Sequence, residues 1–158
     1  MVIFDGKLQV ATAQTLVGLG SVGSVVPSTD RIDLTHLRDV GDGYEIRMRV
    51  DFPTAVSSDA TRSIQFLIAT TSDTGFTNLV YLAKSGPLVA ASMTASSSIE
   101  IVVPPALGVR AAYYLFGGIE VTAAGGGDWV AGTCNMRFII NSQSSTSKTY
   151  PPSFAYNQ

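Results

Sequence analysis

The stretch Tyr44-Glu45-Ile46-Arg47-Met48-Arg49-Val50-Asp51-Phe52 decides the fold class. Tyr44, Ile46, Met48, Val50 and Phe52 fall on one side of an extended chain, and Glu45, Arg47, Arg49 and Asp51 on the other. Period-two alternation of this kind marks a strand with one face buried and one in water.

Similar patterns recur on either side. Ile64, Phe66 and Ile68 alternate with Gln65, Leu67 and Ala69, which predicts a strand apolar on both faces. Ile99, Ile101 and Val103 alternate with Glu100 and Val102 until Pro104-Pro105 ends the ladder. Met136, Phe138 and Ile140 alternate with Asn135, Arg137 and Ile139. Weaker strand signals lie at Lys7 to Ala11, Arg31 to Leu34, Leu79 to Ala83, Leu88 to Met93 and Ala112 to Thr122. In the last of these, Gly117-Gly118 predicts a bulge or turn. No window of a dozen residues keeps a helical apolar period, and Ser and Thr dominate the connections. Many short strands with turn residues between them predict an all-β, antiparallel jelly roll or β-sandwich. The expected core includes Ile46, Met48, Val50, Phe66, Ile68, Ile99, Ile101, Phe138 and Ile140.

The chain has 158 residues, 46% hydrophobic and 14% charged, with a net charge of -2. Low charge with high hydrophobicity excludes disorder for the bulk of the chain. One domain of this size buries roughly 70% of its unfolded surface. The expected organisation is a core over about 8–141, with extended arms at 1–7 and 142–158. A charge balance this close to neutral argues against nucleic acid as a partner. No apolar run approaches the ~18 residues that cross a bilayer as a helix, so no membrane partner is expected. Cys134 is the only cysteine, which excludes an intrachain disulfide and a thiolate metal cluster. The opening Met1-Val2-Ile3-Phe4-Asp5 has no basic run of the kind that starts a signal peptide, so folding in a cytoplasm is expected.

The motifs that carry chemistry elsewhere lack their context. Gly18-Leu19-Gly20-Ser21-Val22-Gly23 has dinucleotide-loop spacing, but Pro27 follows and no helix signal does, so a flexible glycine loop is expected. Ser145-Thr146-Ser147-Lys148 stands in a polar tail without companion motifs. Asp39, Asp42 and Glu45 lack the regular ligand spacing of a calcium loop. His36 has no nucleophile elbow to serve, and Cys134 reads as a small buried hydrophobe. No catalytic, cofactor or metal residues are therefore expected, and the chain is read as a non-enzyme.

Partner binding is expected instead. Glu45, Arg47, Arg49 and Asp51 form a charged stripe on one strand face, which reads first as a solvated outer face and alternatively as a docking face for a charged partner surface. Trp129, after Gly125-Gly126-Gly127-Asp128, is the only tryptophan, a residue type enriched in interfaces. Its local setting favours a loop side chain capping one end of the β core over an interface contact. Tyr150, Pro151, Pro152, Phe154 and Tyr156 make an apolar cluster in a polar tail, and such clusters mark interaction sites.

Phe4-Asp5-Gly6-Lys7-Leu8-Gln9-Val10-Ala11-Thr12-Ala13-Gln14 resembles the opening of a family of tailed-phage capsid cement, or decoration, proteins, typified by that of short-tailed Bordetella phages. Further blocks are Ile32-Asp33-Leu34, Arg38-Asp39-Val40-Gly41, and Phe66-Leu67-Ile68-Ala69-Thr70-Thr71-Ser72-Asp73 followed by Phe76. Ile101-Val102-Val103-Pro104-Pro105 and the closing Tyr150-Pro151-Pro152-Ser153-Phe154 complete the series, in order along nearly the whole chain. Two departures are Ser153, where glycine is expected, and the long Ala123 to Gly132 loop. The resemblance implies a jelly roll on the exterior of a virion capsid, made in the bacterial host cytoplasm. Its partners would be the major capsid protein and itself, as a homodimer in preference to a trimer. The alternative is a β-sandwich tail or fibre module that binds a receptor or glycan, for which Trp129 beside Asp128 is the one aromatic–carboxylate pair.

Overall fold

The computed structural model describes residues 8–33, 46–58, 62–73, 75–102, 114–123 and 129–140, with the side chains of Ile46 and Ile140 outside that description. Expectations for the two arms, His36, Asp39, Asp42, Tyr44, Glu45 and Asp128 lie outside the described residues.

The chain is all-β. Its strands are β1 (Gln9–Thr15), β2 (Val25–Pro27), β3 (Ile32–Asp33), β4 (Ile46–Phe52), β5 (Ser57–Ser58), β6 (Ser63–Thr71), β7 (Val80–Lys84), β8 (Leu88–Val89), β9 (Ser97–Val102), β10 (Tyr114–Ala123), β11 (Trp129–Ala131) and β12 (Thr133–Ile140). One short 3-10 turn, Ala90–Ser92, follows β8. All described pairings are antiparallel. The first sheet runs β1-β12-β4-β9, and the second β2-β10-β6-β7, with β3 also on β10 and β8 also on β6. A small β11–β5 pair stands apart.

The two sheets form a sandwich because alternate residues of β4, β12, β6 and β10 turn toward one shared core. Met48, Val50 and Phe52 of β4 and Cys134, Met136 and Phe138 of β12 share one apolar core with Ile64, Phe66 and Ile68 of β6 and Leu115, Ile119 and Val121 of β10. Phe52 and Phe66 meet edge to face across the two sheets at 5.7 Å. Each large side chain buried this way contributes ~1.5–3 kcal/mol. Met48, Val50, Phe66, Ile68, Ile101 and Phe138 of the expected core are buried, and Ile99 packs against them half-buried.

Gly117-Gly118 is neither a bulge nor a turn. The two residues pair with Ile68 and Leu67 in an unbroken stretch of the β10–β6 register. They are glycines because of crowding: a Cβ at Gly117 would meet the sulfurs of Met48 and Met136, and one at Gly118 would meet Leu67 Cδ1 at 3.0 Å. Register shifts fall elsewhere, among them one in β10 between Val121 and Ala123 and two in β1. The β1 register on β12 shifts on both sides of Ala11, and Ala13 takes φ +48° while its N–H donates to Asn135 Oδ1 at 2.7 Å. Leu88 to Met93 is strand only at Leu88–Val89; the chain then turns, and the buried Met93 carbonyl accepts from Val56 N–H at 2.9 Å.

Candidate functional site

The charged stripe stands on the outer face of the first sheet, as the alternation requires. Arg47, Arg49 and Asp51 of β4 are partly exposed, while Met48, Val50 and Phe52 between them are fully buried. Neighbouring strands widen the stripe into a ladder. Pairing places Arg49 opposite Glu100 on β9 and opposite Arg137 on β12.

Within the ladder the charges bind one another. Glu100 Oε2 accepts from Arg47 Nη1 at 3.0 Å, and Glu100 Oε1 stands 3.8 Å from Arg49 Nη1. Asp51 Oδ1 accepts from Arg49 Nε at 2.7 Å, and its Oδ2 pairs with Arg137 Nη2 at 2.6 Å. The order is Arg47–Glu100–Arg49–Asp51–Arg137, with all four carboxylate oxygens engaged. Asp51 solves a local problem: Arg49 and Arg137 are like charges directly opposite, an arrangement that destabilises a sheet, and one carboxylate bridges them. Pairs this exposed contribute only ~0–1 kcal/mol each and weaken with salt. Among the described residues, both carboxylates of the ladder, Glu100 and Asp51, are paired within the chain.

Glu100 and Arg137 extend the stripe beyond the strand that carries it in sequence. Each alternates outward in its own strand, but only the pairing register brings them to Arg49. Glu45, Tyr150, Pro151, Pro152, Phe154 and Tyr156 lie outside the described residues.

Trp129 is not an exposed loop side chain. It begins β11, pairs with Ser58, and is 1% exposed. Gly132, at φ +128°, lets this segment press against Val56, where a Cβ would stand 2.9 Å from Val56 Cγ2. A buried indole has no face to offer a partner or a sugar, so Trp129 leaves the set of candidate contacts and the glycan alternative loses its aromatic.

The Gly18 to Gly23 loop takes φ of +74°, +74° and +82° at its three glycines and leads into β2, not into a helix. Cys134 is buried, and loss of water pushes its thiol up to about 12. Among the described residues no three metal-ligating side chains gather. No helix among them is long and apolar enough to cross a membrane.

The outer face of the second sheet is built differently. Glu120 of β10 accepts from Gln65 of β6 at 2.6 Å and from Lys84 of β7 at 2.5 Å, and the ammonium holds its carboxyl below the usual range. Beside this polar group lies a second apolar cluster, in which Leu67, Ala69 and Phe116 are fully buried under Val25, Phe76 and Leu79. Phe76 meets Phe116 edge to face at 4.8 Å, and the Arg31 guanidinium lies 4.5 Å from the Tyr114 ring centre and 5.5 Å from that of Phe76. Asp73 shapes the segment that carries Phe76. Its carboxylate accepts from Gly75 N–H, Thr77 N–H, Thr77 Oγ1, Asn78 N–H and Asn78 Nδ2. Those donors, the Thr77 hydroxyl first, lower its carboxyl from 3.8 to about 2.

Comparison of the chain with known proteins finds no matching family model and no curated relative.

Proposed function

We propose that this chain is a structural virion protein that binds the outside of an assembled phage capsid and bridges neighbouring major capsid subunits. The residue blocks that resemble the cement family support the reading, and the order of strands carries it. Taken in sequence, the eight principal strands are β1, β2 with β3, β4, β6, β7 with β8, β9, β10 and β12. First pairs with eighth, second with seventh, third with sixth and fourth with fifth. These are the pairings of one long hairpin rolled over on itself, as in a double-Greek-key jelly roll. The fold implied by the resemblance is thus the one these pairings favour.

A protein that binds the assembled lattice but not its separate subunits stabilises the assembly by mass action. Repetition over a shell makes modest individual contacts sufficient. Because the ladder's carboxylates are engaged within the chain, the apolar residues Tyr150, Pro151, Pro152, Phe154 and Tyr156 carry the docking, with the protein acting as a homodimer.

The test mixes purified protein with undecorated heads, sediments them at low and high salt, and then heats them. Co-sedimentation that survives high salt and raises heat resistance is expected. Deleting residues 149–158 should leave the fold intact and weaken binding. Failure to co-sediment at either salt overturns the cement reading.

A further inference from the structure

We propose that residues 75–79 form a strap, clasped by the single carboxylate of Asp73, which opens as a unit while both sheets stay folded. The inference does not depend on the capsid reading.

A sheet face needs another layer to keep its apolar side dry. The inner face of the second sheet has one in the first sheet. Its outer face buries Leu67, Ala69 and Phe116 completely, and Phe76 and Leu79 of the β6–β7 connection are among the side chains that cover them. Among its described residues that connection has no strand ladder of its own. Its described hydrogen bonds to Gly75, Thr77 and Asn78 all converge on Asp73, whose N–H is in turn held by Thr71 Oγ1 at 3.2 Å.

Phe76 is bent against its preference. It takes φ +56°, a left-handed conformation that a bulky residue adopts only where its surroundings impose it. Two things impose it here: the Asp73 bonds on either side of it, and the seating of its ring on Phe116 beside Arg31. Loss of the clasp leaves a strained backbone held by one ring, so the segment relaxes outward and the apolar face is uncovered. The long β6–β10 ladder beneath has its own backbone register, from Tyr114 opposite Thr71 to Ala123 opposite Ser63. Separate cooperative units of this kind open at lower free energy than the whole fold.

The experiment uses the full chain with Asp73→Ala and, separately, Phe76→Ala, followed by amide hydrogen exchange and by binding of an anilinonaphthalene sulfonate dye. Asp73→Ala should speed exchange at Gly75, Thr77 and Asn78 by about tenfold or more and raise dye binding, with the β6–β10 amides still protected. Phe76→Ala should raise dye binding but leave Thr77 and Asn78 protected, because the clasp remains. Wild-type exchange and dye binding in Asp73→Ala would overturn the proposal. So would loss of protection along the β6–β10 ladder in that variant, or equal loss at Thr77 and Asn78 in Phe76→Ala.

Discussion

Gly117 of β10 lies so close beneath Met48 of the opposite sheet that a Cβ added to the glycine would stand 2.7 Å from the methionine sulfur. Met136 closes the same space from the next strand, its sulfur 2.9 Å from that position. The two sheets are therefore in contact through two thioethers over a bare backbone. Gly117→Ala should overpack this point and cost ~1–3 kcal/mol. The expected signature is a lower denaturant midpoint with an unchanged slope. Gly117→Ala combined with Met48→Ala should lose less than the sum of the two single losses, and equal midpoints for Gly117→Ala and wild type would show that the sulfurs move aside freely.

Ile101 and Val102 are adjacent and face opposite ways, at 6% and 45% exposed. Ile101→Asp forces a carboxylate into the core without a partner, which is among the costliest single changes a protein can suffer. Soluble expression should be lost. Val102→Asp places the same group in water and should express normally with little change in midpoint. Soluble, cooperative unfolding of Ile101→Asp would remove β9 from the sandwich as drawn.

Asp51 bridges two arginines that the sheet register sets directly opposite each other. Asp51→Ala leaves Arg49 and Arg137 facing without an intervening anion, at a cost of roughly 1 kcal/mol. Salt screens that repulsion. Added salt should therefore raise the stability of the variant more than that of the wild type, and thermal melts at low and high ionic strength read the difference directly. A variant whose deficit is the same at both would show that packing, not charge, is lost.

Asp73 gives a pH dependence with a definite sign. Its carboxyl titrates at about 2 in the folded chain and near 3.8 when free. A depressed folded value means that ionisation favours the closed strap above pH 3.8, and that this support disappears as pH falls toward 2. Exchange at Thr77 and Asn78 should accelerate across that window relative to the β6–β10 amides. In Asp73→Asn the window should be absent. The carbon resonance of the Asp73 carboxyl, followed through an acid titration, reports the midpoint independently.

Much of this architecture was legible because alternation is a local signal. Met48, Val50 and Phe52 against Arg47, Arg49 and Asp51 announce their faces without reference to any other strand. Leu67 and Ala69 likewise announce that β6 is apolar on both sides, which the second cluster bears out. The short strands β5 and β11 were not legible. Two or three residues cannot show a period, and they are strands only because tertiary packing sets them side by side. For Trp129 the glycine run before it advertises a loop and hides β11, while the reading of its side chain as a cap on the core agrees with its burial. Gly117-Gly118 also misled, because a glycine pair signals a bend locally, yet here answers a demand from Met48, Met136 and Leu67 on other strands. For the charged ladder, sequence supplied the outward residues but not the register that links Asp51 to Arg137.

The pairing of β1 with β12 bears on how the chain is made. Gln9–Thr15 leaves the ribosome early, and its only described strand partner, Thr133–Ile140, leaves it late. Second and seventh strands are separated in the same way, so each sheet waits for its most distant member. Distant pairings fold slowly, since the entropy of closing the intervening chain is lost before contacts repay it. During that interval the apolar strands have nothing to cover them, and unpaired edges in partly made chains favour aggregation. Growing chains crowded together are thus at greatest risk before β12 arrives, and truncation anywhere before Thr133 removes the described partner on which β1 depends.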